Sequence, residues 1–378
     1  MIGFGKHQQK YRVSAVLVTV WLSLLVLLSA CGGAKSNSDE GPSVTESVEK
    51  TLTRAKNSSC IAPVNTSAVA TQLSNTGCFS DMATRTPASG VIPYTVNNLL
   101  WSDGEKKGRY FAIPDNSKIK LVTDEPSIVG TNGLKNANFF FPSGSVIIKH
   151  FFNGDRVIET RLLMNHASAD GWVGYSYEWN AEQSEATLLT AAKQIVTPVS
   201  HSFPSPAQCM ECHTDAALVA LGPDSLQLSY SLNYTDGSRE NFLDALDRLG
   251  YFETSPLSEH RQTRLYAIND SSATLEQRAR SYLHSNCSGC HRERAPQGGF
   301  GDMRYNAVLA NNLCGVAPSV IGSPGTALIE PGDAQNSTIY RRINSNGGIR
   351  MPPIGRASVD TEAVQVMGEW INSLTSCQ

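Results

Sequence analysis

The chain has no excess of positive charge. Its 378 residues hold 31 Lys and Arg against 34 Asp and Glu, a formal net charge of −3. Three of those cations, Lys6, Lys10 and Arg12, sit in the first thirty residues, where there is no acid, so the rest of the chain is the more acidic part. That balance argues against a nucleic-acid binder, which needs a basic footprint. The strings GxGxxG, GxxxxGKS/T and GxSxG are also missing. The commonest dinucleotide, nucleoside-triphosphate and serine-hydrolase signals are therefore absent. Charged residues make up only 17% and apolar residues 40%, with 30 Gly and 18 Pro, a loop-rich globular composition. The length predicts two or three domains. Nine cysteines are what the chain has in plenty, and their placement is its most informative feature.

After the basic start, Val13 to Leu28 runs without a charge and leads into Leu28-Ser29-Ala30-Cys31-Gly32. A basic start, a short apolar run and small residues before a cut read as a secretory signal over 1–30. The run is short for a membrane span of about twenty residues. Leu-Ser-Ala-Cys resembles the bacterial lipobox. That resemblance implies lipidation of Cys31, a membrane attachment through the lipid, and, with Gly32 rather than Asp next, an outer-membrane location facing periplasm or cell surface. Residues 31–59 are poor in apolar side chains and are expected to form a tether.

The expected fold class is multidomain α+β: a β-sandwich-like antiparallel domain over 60–200, then an all-α region. Val146–Phe152, Arg156–Met164 and Trp172–Trp179 are β-branched and aromatic, separated by turn signals at Asn153-Gly154-Asp155 and Asp170-Gly171. Tyr175, Tyr177 and Trp179 share one strand face, expected to be core. Beyond residue 200 the spacing turns helical. Arg239–Leu249 places Phe242, Leu243, Leu246 and Leu249 together, with Gly250 as a stop. Thr274 and Gln277 have capping-box spacing ahead of a helix reaching His284. Asp360 is a good N-cap for a final helix that turns Val364, Met367, Trp370, Ile371 and Leu374 inward.

Cys209-Met210-Glu211-Cys212-His213 and Cys287-Ser288-Gly289-Cys290-His291 both fit c-type haem attachment. Two thiols three apart add to the two vinyl groups of one haem, and the adjacent His ligates the iron. A zinc site from two CxxC pairs has them about 15–20 residues apart, far closer than these two. Thioredoxin-like chemistry needs a βαβ setting, and plain disulfides need neither His. The expected cofactors are therefore two c-type haems, the first in 201–270 and the second in 271–378.

The segment from about Ser271 to Gln378 resembles the class I cytochrome c domain. That resemblance implies His291 as one axial ligand and Met351, in Arg350-Met351-Pro352-Pro353, as the other, with Tyr282 packed near Trp370. A thioether ligand raises the potential. The first haem has no Met between its motif and the second, and His260 and His284 are the only histidines there. Outside that stretch stand His150, His166, Met164, Met303 and His201; His201, just before the motif, is the sixth-ligand candidate, with an open site as the alternative. Cys60, Cys78, Cys314 and Cys377 remain and are expected to pair in an oxidising compartment. Of the three pairings allowed, Cys60–Cys78 and Cys314–Cys377 each stay within one module.

Several further strings, Leu100-Trp101-Ser102-Asp103-Gly104, Phe141-Pro142-Ser143-Gly144-Ser145 and Gly174-Tyr175-Ser176-Tyr177-Glu178-Trp179-Asn180 among them, resemble an uncharacterised family of bacterial di-haem cytochrome c lipoproteins across about 60–378. The resemblance implies two haems and export, and names no substrate. The expectation is an electron carrier without catalytic side chains, docking a redox partner protein. The rivals are a di-haem peroxidase-type enzyme whose β domain binds substrate, and a protein whose β domain is a binding module, with the haems reporting on or draining electrons from a bound dehydrogenase. Arg341, Arg342 and Arg350 are set either for haem propionates and an acidic partner or for a solvated face.

Overall fold

Strand pairing in this chain is almost entirely local. The structure, a computed structural model, describes residues 54–124, 130–195, 200–295 and 300–377. The expected signal peptide, Cys31 and the tether up to residue 53 lie outside them. β1 (Phe79–Asp81) and β2 (Thr86–Pro87) form a short hairpin. β3 (Ile92–Pro93) and β4 (Lys106–Ala112) open the main sheet, while β5 (Lys120–Thr123) pairs with β6 (Ala137–Phe140) outside it. β7 (Val146–Asn153), β8 (Arg156–Asn165), β9 (Trp172–Trp179) and β10 (Ala186–Leu188) complete an antiparallel sheet of order β10-β9-β8-β7-β4-β3. β11 (Lys193–Ile195) pairs with β12 (His201–Phe203), and β13 (Ser231–Asn233) with β14 (Arg239–Asn241). Gly154 turns β7 into β8 at φ +57, a left-handed conformation glycine takes without steric cost.

Both faces of the main sheet are packed. Val146, Ile148, Leu162, Met164, Tyr175, Tyr177 and Trp179 point to one side, where they meet Cys60, Leu73 and Cys78. The expected aromatic face of β9 is thus core. Phe111, Ile147 and Leu163 point to the other side, against Tyr94, Phe139, Phe141, Leu228, Phe242, Leu246 and Tyr251. The second face is covered by helices, loops and the β5–β6 hairpin, not by a second large sheet, so the sandwich expectation gives way to one dominant sheet with small hairpins around it. A core shared between β4, β7 and residues 228–252 also ties the expected β domain to the chain beyond residue 200.

That later part is mixed as well. α1 (Pro206–Cys212), α2 (Ser225–Leu228), α3 (Phe242–Arg248), α4 (Glu259–Gln262), α5 (Leu275–Asn286), α6 (Thr338–Ile343) and α7 (Thr361–Ser373) are joined by long irregular stretches, and β12 to β14 lie among them. The structure is therefore α+β throughout, with its helices in the C-terminal half. The helix expected from Arg239 begins only at Phe242. Residues 239–241 pair as a strand, and the Asn241 side chain caps the helix by accepting from Leu243 N at 2.9 Å. The Thr274–Gln277 capping box forms as expected, as does the Asp360 cap, which accepts from Ala363 N at 3.0 Å. Each such cap stabilises its helix by about 1 kcal/mol. α5 and α7 pack together through Ala279, Tyr282, Leu283, Met367, Trp370 and Ile371.

Both disulfides pair as expected, Cys60–Cys78 with Cα atoms 4.3 Å apart and Cys314–Cys377 at 5.4 Å. Closing loops of 18 and 63 residues stabilises the fold by roughly 3 and 4 kcal/mol. The body also starts earlier than residue 60. Arg54 donates to Ser117 O at 2.7 Å and Pro114 O at 3.1 Å, with its guanidinium over the Tyr251 ring, and buried Asn57 bonds Cys60 O and Ile113 O.

Candidate site where the two Cys-x-x-Cys-His motifs meet

The first motif lies on α1. Ser205 and Gln208 form a capping box and Pro206 starts the helix, so a seven-residue segment is held firmly enough to carry three functional side chains. α1 packs on β9. A Cβ on Gly174 would stand 2.6 Å from Cys209 Cβ and 2.7 Å from its Sγ, so glycine is what lets Cys209 approach the sheet. His213 ends the helix. Its Nδ1 donates to Val219 O at 2.7 Å, which fixes the tautomer and leaves a lone pair on Nε2. Burial first, and Lys149 second, push its pKa down to about 4, so the ring is neutral at physiological pH.

The second motif comes directly after α5. Cys287 caps the helix by donating from its N–H to Leu283 O at 2.9 Å, and the next turn brings His291 N onto Cys287 O at 2.9 Å. Cys287 packs against the α5–α7 core. Burial, aided by Arg342, lowers the His291 pKa to about 4 as well. Its Nδ1 is buried without a partner. Neither Nε2, of His213 or of His291, meets a hydrogen-bond partner among the described residues.

The two motifs touch. Thr214 Oγ1 donates to Gly289 O at 3.0 Å across 75 residues, and Cys290 Sγ lies 3.5 Å from Glu211 O. The Cys212 and Cys290 thiols lie close enough to couple, so that the presence of one shifts the titration of the other. The inner cysteines, Cys212 and Cys290, thus face each other, while Cys209 turns to the sheet and Cys287 to the α5–α7 core. All four are unpaired. Among the described residues no group of three or more His, Cys, Asp and Glu side chains is placed to hold a bare metal ion.

A cleft with about 380 Å3 of empty space, its open mouth included, lies between α1 and the sheet. Cys209, His213 and Leu221 form one wall, and Ile147, Lys149, Arg161, Leu163 and Gly174 the other. The strand register puts three cations side by side, Arg109 opposite Lys149 and Lys149 opposite Arg161. Like charges directly opposite are destabilising. Burial, then Arg109, Arg161 and Lys107, push the Lys149 pKa down to about 7. Lys149 has no hydrogen-bond or ion-pair partner among the described residues.

Arg161 is compensated. Its Nε and one terminal nitrogen bind Glu159 at 3.0 and 2.7 Å. Glu159 in turn accepts from His201 Nε2 at 2.8 Å, and His201 Nδ1 reaches Glu105 at 2.5 Å. Burial opposes charge on this ring, but the two carboxylates outweigh it and push its pKa up to about 9. A charged imidazole with both nitrogens donating has no lone pair for iron. His201, the expected sixth-ligand candidate, is placed instead in a buried ion chain.

The remaining histidines noted in the sequence are packing residues. His150 Nδ1 bonds Thr160 Oγ1 at 2.7 Å on the far face of the sheet; His166 bonds Pro63 O and Tyr175 Oη. His284 reaches Asp224 Oδ2 at 3.3 Å and accepts from Tyr305 N, and His260 accepts from Leu257 N. Met164 and Met303 are core.

Met351 lies on a braced loop. Its N–H donates to Arg342 O at 3.1 Å, and Arg350 donates to Pro353 O at 3.0 and 3.2 Å. Arg342 donates to Ile349 O and Ser323 Oγ, so two of the three arginines flagged in the sequence bind the loop's own neighbourhood. Arg356, which sequence reasoning missed, is buried and donates to Ser345 O at 2.7 Å and Ser358 O at 2.9 Å. Asp103 was missed too. It accepts from Ala357 N, Ser358 N and Ser358 Oγ at 2.6–2.9 Å, while Trp101 N donates to Asn286 Oδ1 at 2.7 Å. The Leu100–Gly104 string thereby clasps the loop after Met351 and the end of α5 just before Cys287.

The residues fit two c-type haems by their donor chemistry. Each motif offers two free thiols and a neutral imidazole with an unengaged Nε2, and the first adds a cleft beside them. No family model, functionally curated protein or solved structure matches the chain.

Proposed function

We propose that this chain is a di-haem c-type cytochrome that carries electrons at the cell envelope. The observation that carries the reading is the contact between two complete Cys-x-x-Cys-His motifs from distant parts of the chain. Haems bound through Cys209 and Cys212 and through Cys287 and Cys290 would supply one-electron redox chemistry, with the protein setting each potential through axial ligands and burial.

The chain's own part is positioning. The Val219 carbonyl orients His213, α5 delivers Cys287 from a packed helix end, and burial keeps both imidazoles neutral. The contact of Cys212 with Cys290 brings the attachment points together, as relay between two redox groups requires. Arg342, Arg350 and Arg356 hold the loop on which Met351 would ligate the second iron. Packing of α5 on α7 around Tyr282 and Trp370 supports the resemblance of 271–378 to a class I cytochrome domain. On this reading the partner is a redox protein, and lipidation at Cys31 holds the whole at the outer membrane.

The test is the intact mass of the mature protein made with haem-ligation machinery, together with a redox titration. Two haems beyond the polypeptide and two reversible one-electron steps support the reading; one haem or none ends it. Peroxide turnover with an electron donor would replace the carrier by the enzyme.

A further inference from the structure

We propose that Lys149 is the sixth ligand of the first haem iron. The proposal rests on the di-haem reading and goes beyond it by assigning the position that the sequence left open. The cleft beside the first motif has two walls. His213 stands on the helix wall, with its Nε2 unengaged. The sheet wall offers only two side chains with nitrogen, Lys149 and Arg161; the others are Ile147, Leu163 and Gly174. A ring held from the helix side by His213 would present its second face to that sheet wall.

Every competitor is committed elsewhere. Arg161 is bidentate on Glu159, and a guanidinium does not give up its proton in proteins. His201 has both nitrogens on carboxylates. His150 and Met164 sit on the far face of the sheet, in another core. On the sheet wall Lys149 alone among the described residues has a nitrogen without a hydrogen-bond or ion-pair partner and able to coordinate, and the β4–β7–β8 register holds its backbone in place. On binding, the ammonium releases one proton to solvent, the Nζ lone pair forms the iron–nitrogen bond, and one water leaves the iron; no electron changes hands.

A six-coordinate first haem has no site for peroxide, so the assignment makes both haems carriers. The nitrogen–nitrogen pair also separates the first haem from the His–Met pair proposed for the second, since a thioether raises the potential. The test is the ferric absorption and electron paramagnetic resonance spectrum of the wild-type holoprotein and of Lys149→Ala and Lys149→Arg, each with its intact mass. Two low-spin haems in the wild type and one high-spin haem in both variants are expected, with two haems by mass throughout and carbon monoxide binding at the opened site on reduction. Lys149→His should restore a low-spin centre with an altered spectrum. A low-spin first haem in Lys149→Ala overturns the proposal, as does a wild-type-like Lys149→Arg, which would mean the amine serves as a charge. A high-spin first haem in the wild type overturns it as well. A wild-type mass with fewer than two haems is a different result, because it removes the di-haem reading itself.

Discussion

Cys212 and Cys290 sit side by side with their thiols coupled, where two motifs that the sequence keeps far apart come into contact. Each motif's other thiol faces away, Cys209 toward β9 and Cys287 toward the α5–α7 core. In haem-free protein the inner pair is therefore the pair that an oxidant reaches together. Treatment with oxidised glutathione should link Cys212 to Cys290, since thiol–disulfide exchange follows access and thiolate character. Peptide mapping checks this. A Cys209–Cys212 or Cys287–Cys290 bridge as the main product would count against the contact.

Gly174→Ala should disturb the first motif and spare the second. The added methyl would meet Cys209 well inside van der Waals distance. Overpacking of this kind costs about 1–3 kcal/mol. The expected outcome is a lower denaturation midpoint and a mass spectrum in which the one-haem species gains over the two-haem species. Full two-haem loading at unchanged stability would mean that α1 does not depend on this approach.

The His201 chain predicts a pH effect with a definite sign. Its folded-state pKa of about 9 lies above the ordinary 6.5. The stabilisation is complete below about 6.5 and is lost as pH rises through about 9. Its size is on the order of 3 kcal/mol. In haem-free protein Lys149, held down near 7, works in the opposite sense as pH rises. The informative quantity is thus the stability of wild type minus that of His201→Gln, measured by urea unfolding from pH 6 to 10. That difference should shrink with rising pH; a flat difference would show that His201 is not held charged between Glu105 and Glu159.

On the proposed di-haem reading, Met351→Ala should lower the potential of one haem and leave the other unchanged, because the loop would supply a ligand to a single iron. Asp103→Ala should weaken the same ligation from a distance, by releasing Ala357 and Ser358. It should also cost about 2–4 kcal/mol of stability, for several hydrogen bonds to one carboxylate. A redox titration and a denaturation curve on each variant check both. Unchanged potentials in Met351→Ala would assign the ligand elsewhere.

How much of this could be read beforehand depended on how far apart the participating residues stand. The Thr274 and Asp360 caps and the aromatic face of β9 are each spelled by neighbouring residues, and they read correctly as local patterns. The two Cys-x-x-Cys-His strings are local in the same way, but their meeting is not. The strand alternation also puts Lys149 and Arg161 on definite faces, and the β7–β8 turn sets the register that makes them neighbours, whereas the pairing of Arg109 with Lys149 joins strands separated by the β5–β6 hairpin and is spelled by no local string. The same holds for the Cys212–Cys290 contact and the Asp103 clasp. Nearness in sequence to the first motif is what points to His201 as a ligand. Glu105 and Glu159, which claim it, come from elsewhere in the chain. The helix expected from Arg239 began too early because its first residues pair with Ser231–Asn233, an interaction that periodicity does not register.

The close seat of Cys209 carries a consequence for the order of assembly. In the folded protein this residue is 5% exposed, shut between α1 and the sheet. A ligation enzyme has to reach both thiols of a motif with a haem in hand. If the first motif is loaded, it is loaded while α1 still stands off β9, and docking onto the sheet comes afterwards. The outer thiol of the first site then acts as a record of timing: a chain that folds before it meets its cofactor closes that site against it.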